Sequence, residues 1–140
     1  MYSFGAKSKE RFAQCHPKLQ VVLTQAIKHV DFSITCATRD EAAQMKAYNS
    51  VPKLTRAKYG QSPHNFAMSR AVDIVPYPVD WTDMQRFCYL GGLMKGIASA
   101  NGIHLTWGYD WNNNGVLGKD DSAESLMDAP HFELTNWREM

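Results

Sequence analysis

Cysteine is scarce in this sequence, and its cysteines form no recognisable framework. Cys15, Cys36 and Cys88 are widely spaced and odd in number, which argues against a set of disulfides and fits synthesis in a reducing cytoplasm. No two of them have the close spacing of a zinc-finger pair. We therefore expect any metal in this protein to be held by histidine and carboxylate side chains.

Long apolar runs and an excess of either charge are also missing. The longest apolar stretches are far shorter than the roughly 20 residues that a membrane span needs, and the first residues, MYSFGAKSKERF, contain no secretion signal. The 15 basic and 14 acidic residues give a formal net charge of +1, which does not indicate a nucleic acid or a membrane surface as partner. We expect a monomer that binds neither.

The length and the apolar pattern predict one domain over residues 1–140. The predicted strands, rich in β-branched or alternating apolar residues, are 32–37, 71–75, 103–107 and 131–134. The predicted helices are a short one capped by Ser8 and reaching Cys15, one that starts at Pro17, one over 39–48, and one over 81–100 capped by Asp80. Helices come first and strands are interspersed, so the predicted class is α+β, a small, mostly antiparallel sheet with helices packed on it.

Asp73 stands inside the apolar segment AVDIVP, where the neighbouring residues predict a buried strand. A buried carboxylate without a partner costs several kcal/mol or more. His64 lies shortly before it, in a polar loop. The charge of Asp73 therefore needs a compensating group.

The later segment DAPHFEL supplies further groups of the same kind. His131 and Glu133 alternate along a predicted strand and so share one of its faces, and Asp128 precedes His131 by three residues. Two histidines, one carboxylate and an open position form a catalytic zinc pattern, and an acid beside the open position can take a proton from bound water. From spacing alone a structural role for these histidines stays open, and we expect the other three histidines to be structural.

The segment DWNNNGVLGKDD, residues 110–121, has the spacing of a calcium-binding loop. Such a loop places oxygen ligands at positions 1, 3, 5, 7 and 12, with glycine at position 6. The residues at these positions are Asp110, Asn112, Asn114, Val116 (through its carbonyl) and Asp121, with Gly115 as the glycine. Position 12 is usually Glu, and the preceding segment is strand-like, so a turn with solvated acids is the alternative. Calcium in this loop would order the segment that carries the last histidine.

The two segments SPHNFAMSRAVD and DAPHFEL together resemble the signature of the zinc D-Ala-D-Ala carboxypeptidase and L-Ala-D-Glu endopeptidase family. Phage endolysins of the L-alanyl-D-glutamate peptidase kind are the most similar, in length and in having Asp before the last His. The resemblance implies a hedgehog/D,D-peptidase-like fold, with His64, Asp73 and His131 as zinc ligands, Asp128 as catalytic base and Arg39 at the substrate.

One departure from the family pattern concerns the first two ligands. Eight residues separate His64 from Asp73, where the family has six, and the motif glycine is replaced, although Ser62 matches the motif serine. A metal fixes the positions of the ligating atoms and not the length of the loop between them. We expect a local bulge to absorb the two additional residues.

The resemblance implies a zinc-dependent endolysin that cuts the peptidoglycan stem peptide at the L-alanyl–D-glutamate bond, and the loop spacing adds calcium as a candidate second cofactor. It would be made in the host bacterial cytoplasm and reach the cell wall through a separate release system. The alternatives are a D-Ala-D-Ala carboxypeptidase and a non-enzymatic zinc-binding cell-wall module. Asp128 favours an enzyme, because an acid beside the last ligand has no use in a purely structural site, and the extent of the groove past the metal separates the two peptidases.

Overall fold

The computed structural model describes residues 1–117 and 127–140, which form helices around a four-stranded antiparallel sheet. The helices are α1 (Ala6–Ala13), α2 (Pro17–Ala26), α3 (Glu41–Asn49) and α4 (Met84–Ala100), with short 3-10 turns at Pro63–Asn65 and Trp137–Glu139. The strands are β1 (Phe32–Cys36), β2 (Ala71–Pro76), β3 (Leu105–Trp107) and β4 (His131–Leu134). The predicted α+β class is confirmed.

The strand order β1-β2-β4-β3 places the two strands that carry the candidate residues next to each other. In the register of β2 with β4, Asp73 lies opposite His131, and in that of β3 with β4, Thr106 lies opposite Glu133. Directly opposed residues of antiparallel strands are close enough for their side chains to interact. The sheet thus brings together residues that are far apart in the sequence.

Alternation along the strands divides the sheet into an apolar and a polar face. The apolar face packs under the helices, and its fully or nearly fully buried members are Ile34, Val72, Ile74, Leu105, Trp107, Phe132 and Leu134. Burial of one such side chain contributes about 1.5–3 kcal/mol. Asp73, Thr106, His131 and Glu133 alternate with these residues, so they project from the opposite face of a rigid support.

Local signals explain why two of the helices begin where they do. Pro17 occupies the first turn of α2, and the His16 ring accepts the Lys18 backbone N–H at 3.1 Å. Asp40 accepts the Ala43 backbone N–H at 2.8 Å and so caps α3. None of the described helices is long and apolar enough to cross a membrane.

Two predicted helix starts are wrong. Ser8 lies inside α1, where its hydroxyl accepts the backbone N–H of Ile34 at 3.0 Å and so ties the helix to β1. Asp80 does not cap α4, because its carboxylate accepts the backbone N–H and the hydroxyl of Thr82 in a local turn. Asp83 is the cap instead, and α4 begins at Met84.

Candidate active site

The 3-10 turn that follows Ser62 fixes His64 in the interior. The Ser62 hydroxyl accepts the His64 backbone N–H at 3.2 Å, and the Asn65 side chain accepts the Ser62 backbone N–H at 3.2 Å. The His64 ring is 2% exposed, and its Nδ1 lies 2.6 Å from the carbonyl oxygen of Ala37. A carbonyl oxygen only accepts, so Nδ1 carries the hydrogen and Nε2 presents its lone pair.

His131 is held in the opposite sense on β4. Its Nε2 donates to Glu133 Oε1 at 2.7 Å, and the indole N–H of Trp137 donates to Glu133 Oε2 at 2.8 Å. A carboxylate with both oxygens engaged in this way fixes the ring orientation and the tautomer of the histidine. The Nδ1 atom of His131 therefore presents its lone pair on the same side as His64.

These two lone pairs and one carboxylate oxygen meet at a single point. His64 Nε2 lies 3.2 Å from His131 Nδ1 and 3.2 Å from Asp73 Oδ1, and His131 Nδ1 lies 3.1 Å from the same oxygen. Three electron-rich atoms at such distances repel one another unless a cation lies among them. The donor set of two imidazole nitrogens and one carboxylate oxygen is one that zinc takes in catalytic sites, so these residues fit a metal.

The pKa values of His64, His131 and Asp73 also indicate that the site favours a positive charge. Burial alone lowers the pKa of a histidine, but the Asp73 carboxylate outweighs it and raises the pKa of His64 to about 9. For His131, hydrogen bonds to Asp73 and Glu133 outweigh burial and raise the pKa to about 10. Burial would raise the pKa of Asp73, yet His64 and His131 hold it well below the usual range. The pocket thus stabilises a cation, and a metal would replace these protons.

Asp128 lies beside this point, since Asp73, Asp128 and His131 each offer a ligand atom within 4.8 Å of the others. Its backbone N–H donates to the Gly108 carbonyl at 2.7 Å, and its own carbonyl packs so closely on Gly108 that a Cβ there would collide with it. Burial, together with the charge of Asp73, raises the pKa of Asp128 to about 6. A carboxylate with that pKa is ionised at neutral pH and is a stronger base than an ordinary aspartate.

Arg39 reaches the site from the segment after β1. Its Nη2 lies 3.6 Å from Asp73 Oδ2, and its Nη1 donates to the Gln44 side chain at 3.1 Å. Gln44 is fully buried and also donates to the Ala57 carbonyl at 2.7 Å. This tie between the guanidinium and the segment around Ala57 is not predicted by the sequence, in which a glutamine beside the alanines of α3 is the signal that could have indicated it.

The eight-residue connection between His64 and Asp73 is anchored at Ser69. Its hydroxyl lies 2.7 Å from the Ala37 carbonyl, the same oxygen that the His64 ring contacts. Its backbone N–H donates to the Gln14 carbonyl at 2.7 Å, and Ser69 is fully buried. The additional residues are therefore accommodated in an ordered loop that leaves the ligand atoms together.

Cys36 is a further potential ligand that lies next to His64. Its Sγ lies 3.8 Å from His64 Nδ1 and 3.9 Å from Arg39 Nη2, and Cys36, His64 and Asp73 are close enough to form a second group of candidate ligands. The His64 atom that faces Cys36, however, is the one already directed at the Ala37 carbonyl. The geometry favours the point on the Nε2 side.

The site opens into a groove of about 1030 Å³. Its lining includes residues 54–57, residues 60–64, Trp111, His131 and Glu133 of β4, and the turn Trp137–Arg138. Small-molecule pockets usually measure about 300–1,000 Å³. A groove at the upper end of that range is large enough for a peptide substrate.

The candidate calcium loop is tightly wound around Asp110. This carboxylate is buried and accepts the backbone N–H groups of Asn114 at 3.3 Å and Gly115 at 2.9 Å. The Asn112 side chain also accepts the Asn114 N–H at 3.3 Å, and the Asn114 side chain accepts that of Val116 at 2.9 Å. Four of the five predicted ligands thus share one turn, whereas Asp121 lies outside the described residues.

The family model of the phage L-alanyl-D-glutamate peptidases matches residues 1–135. The chain belongs to this family. It is 26% identical to the L-alanyl-D-glutamate peptidase of Escherichia phage T5 over 136 residues, which are 95% of this chain and 98% of that protein. The crystal structure of the L-Ala D-Glu endopeptidase ChiX of Serratia marcescens superposes with a TM-score of 0.71 at 26% identity, covering 98% of this chain and 92% of that one.

These matches confirm the family that the histidine segments indicated. They also decide between the classes of function left open by the sequence, because the relatives are peptidases by name. Membership of this family therefore supports an enzyme and not a non-enzymatic cell-wall module.

The contact between Gly108 and Asp128 generates a first prediction. Gly108→Ala should lower kcat roughly tenfold to a hundredfold, because the new Cβ displaces the Asp128 backbone and a shift of about 1 Å can cost that much. The measurement is the steady-state hydrolysis of a stem peptide. Gly92→Ala on α4 is the control, since a Cβ there meets no atom within 4 Å. Wild-type kcat in the Gly108 variant would show that this contact does not position the acid.

Proposed function

We propose that this protein is a zinc-dependent endolysin that hydrolyses the L-alanyl–D-glutamate bond of peptidoglycan stem peptides. His64, Asp73 and His131 would hold the metal, and Asp128 would act as the base. The observation that carries the proposal is the meeting of His64 Nε2, His131 Nδ1 and Asp73 Oδ1 within 3.2 Å of one another. The names of the relatives support the bond that is cut.

The roles of the residues follow from their positions. When bound, zinc would supply a Lewis acid and lower the pKa of a water molecule to about 7. Asp128, which lies beside the proposed metal ligands, would accept a proton from the attacking water and return it to the leaving amine. Glu133 keeps His131 in the tautomer that presents Nδ1, with Trp137 fixing the carboxylate from behind.

Arg39 completes the site on the substrate side. Its planar donor fork lies beside Asp73 and lines the groove, where it would bind the glutamate carboxylate next to the cut bond or the oxyanion. Gln44 holds one arm of the guanidinium in place. The relatives, which are named for L-alanyl–D-glutamate cleavage, support an endopeptidase over a D-Ala-D-Ala carboxypeptidase.

The family match over residues 1–135 supports one peptidase domain over residues 1–140. A protein of this kind is made in the host cytoplasm and reaches the periplasm or cell wall through a separate release system. We propose that it works there as a monomer, without a nucleic acid or membrane partner.

Two variants distinguish the role of the base from that of a metal ligand. Asp128→Asn should keep bound zinc and a cooperative melt but lose activity by roughly 10²-fold or more, the scale of general-base loss. His131→Ala should lose the metal as well as the activity. Mass spectrometry of digested peptidoglycan should find new fragments that begin with glutamate, and metal analysis gives the zinc content.

Glu10→Gln, an exposed acid on α1, is the matched control and should behave as wild type. Near-normal turnover in Asp128→Asn would show that another group is the base. Fragments cut at a D-Ala–D-Ala bond instead would assign the protein to the carboxypeptidases.

We also propose a calcium ion in the loop that begins at Asp110, with Asn112, Asn114, the Val116 carbonyl and Asp121 as the other ligands. The winding of Asn114 and Gly115 around the Asp110 carboxylate supports it, as does the positive φ of Gly115, 79°, at the position where calcium loops need glycine. Two neutral amide ligands predict modest affinity, because affinity rises with ligand charge.

Calorimetric titration of calcium into the zinc-loaded protein tests this site. The wild type should bind one calcium ion, and Asp110→Asn should weaken binding tenfold or more, because it removes a full charge while leaving an oxygen to accept the loop N–H groups. Zinc content should not change. Absence of heat in the wild type, or equal affinity in the variant, would contradict the proposal.

A further inference from the structure

Arg138 lines the groove, and it is exposed. Its guanidinium stacks over the ring of Trp137, with 4.2 Å between the guanidinium carbon and the ring centroid. An arginine on an aromatic face keeps its donors directed outward and loses part of its conformational freedom before any ligand arrives. Arg138 is thus preorganised at the edge of the groove.

The Trp137 ring beneath it is buried and hydrogen-bonded. Trp137 is 4% exposed, its indole N–H donates to Glu133 at 2.8 Å, and its carbonyl accepts from Arg70 Nη1 at 2.8 Å. Arg70 in turn lies over the Phe66 ring at 4.0 Å. The platform of Arg138 is therefore tied to His131 through Glu133 and to the His64 loop through Phe66.

Within residues 1–117 and 127–140 no carboxylate pairs with Arg138. Arg56 also lines the groove, but in the same described ranges no ring or hydrogen bond fixes its side chain. A fixed guanidinium with open donors on a substrate groove is suited to a planar anion, above all a carboxylate. Arg138 offers such a site at a distance from the metal ligands, beyond both Glu133 and Trp137.

We propose that Arg138 binds a carboxylate on the leaving half of the stem peptide and so sets the direction in which the substrate lies. In an L-alanyl–D-glutamate unit the alanine carboxyl forms the bond that is cut, so every free carboxylate belongs to the glutamate or to residues joined to it. The glutamate end of the substrate would then run towards the turn Trp137–Arg138, and the alanine end towards the opposite side of the groove. The inference rests on the proposed cleavage specificity and not on the identity of the metal.

Three matched peptides test this proposal, and two of them each lack one carboxylate. One peptide carries all its carboxylates, a second has the glutamate carboxylate capped as an amide, and a third has a C-terminal amide. The wild type should prefer the uncapped peptide over one of the capped peptides through KM, by roughly twofold to fivefold, the range of an exposed ion pair. Arg138→Gln should treat those two peptides alike, and Arg138→Lys should keep part of the preference. The cap whose effect disappears in Arg138→Gln identifies the carboxylate that Arg138 binds, because a preference supplied by Arg39 would be unchanged in this variant.

Lys28→Gln, in the turn after α2, removes the same charge at an exposed residue that does not line the groove and should keep the wild-type preference. Binding of the leaving half alone, followed by tryptophan fluorescence, gives a readout that needs no cleavage, so a failed cleavage assignment is distinguished from a failed subsite. A wild type that is indifferent to both caps in binding and in KM would overturn the proposal. So would an Arg138→Gln variant that keeps the preference.

Discussion

The negative charge of Asp73 is the constraint on which the rest of the site depends. Asp73 lies on β2, a central strand of the sheet. Its Oδ1 lies 3.2 Å from His64 Nε2 and 3.1 Å from His131 Nδ1. Such an arrangement is stable only with a cation, because desolvated like charges and lone pairs repel one another strongly in a protein interior. The raised pKa values of His64 and His131 are one answer to this demand, and a metal is the other.

The scaffold makes that arrangement rigid from several directions. The β2–β4 register sets Asp73 opposite His131, the Ala37 carbonyl orients the His64 ring, and Glu133 orients that of His131. Each imidazole has its outer nitrogen occupied, so only the inner nitrogen can ligate. Preorganisation of this kind keeps the ligand atoms in place before the metal or the substrate arrives.

The sequence predicted the parts of the site that depend on periodicity and on chemical type. A strand period of two placed His131 and Glu133 on one face, and a carboxylate within an apolar run marked Asp73. It did not predict Gly108 against Asp128 or Gln44 behind Arg39, because close approaches between distant segments leave no local pattern. The start of α4 was misplaced for a related reason: Asp80 and Asp83 are both plausible caps, and only the turn made by Thr82 decides between them.

Cys36 gives the central claim its sharpest test, because in the described part of the chain it brings a sulfur atom close enough to His64 and Asp73 to change the kind of metal site. X-ray absorption at the zinc edge of the loaded protein measures the ligand types directly. The account predicts only nitrogen and oxygen ligands at about 2.0–2.2 Å, with a spectrum unaltered by Cys36→Ser. A sulfur ligand at about 2.3 Å that disappears in this variant would contradict a centre built from His64, Asp73 and His131.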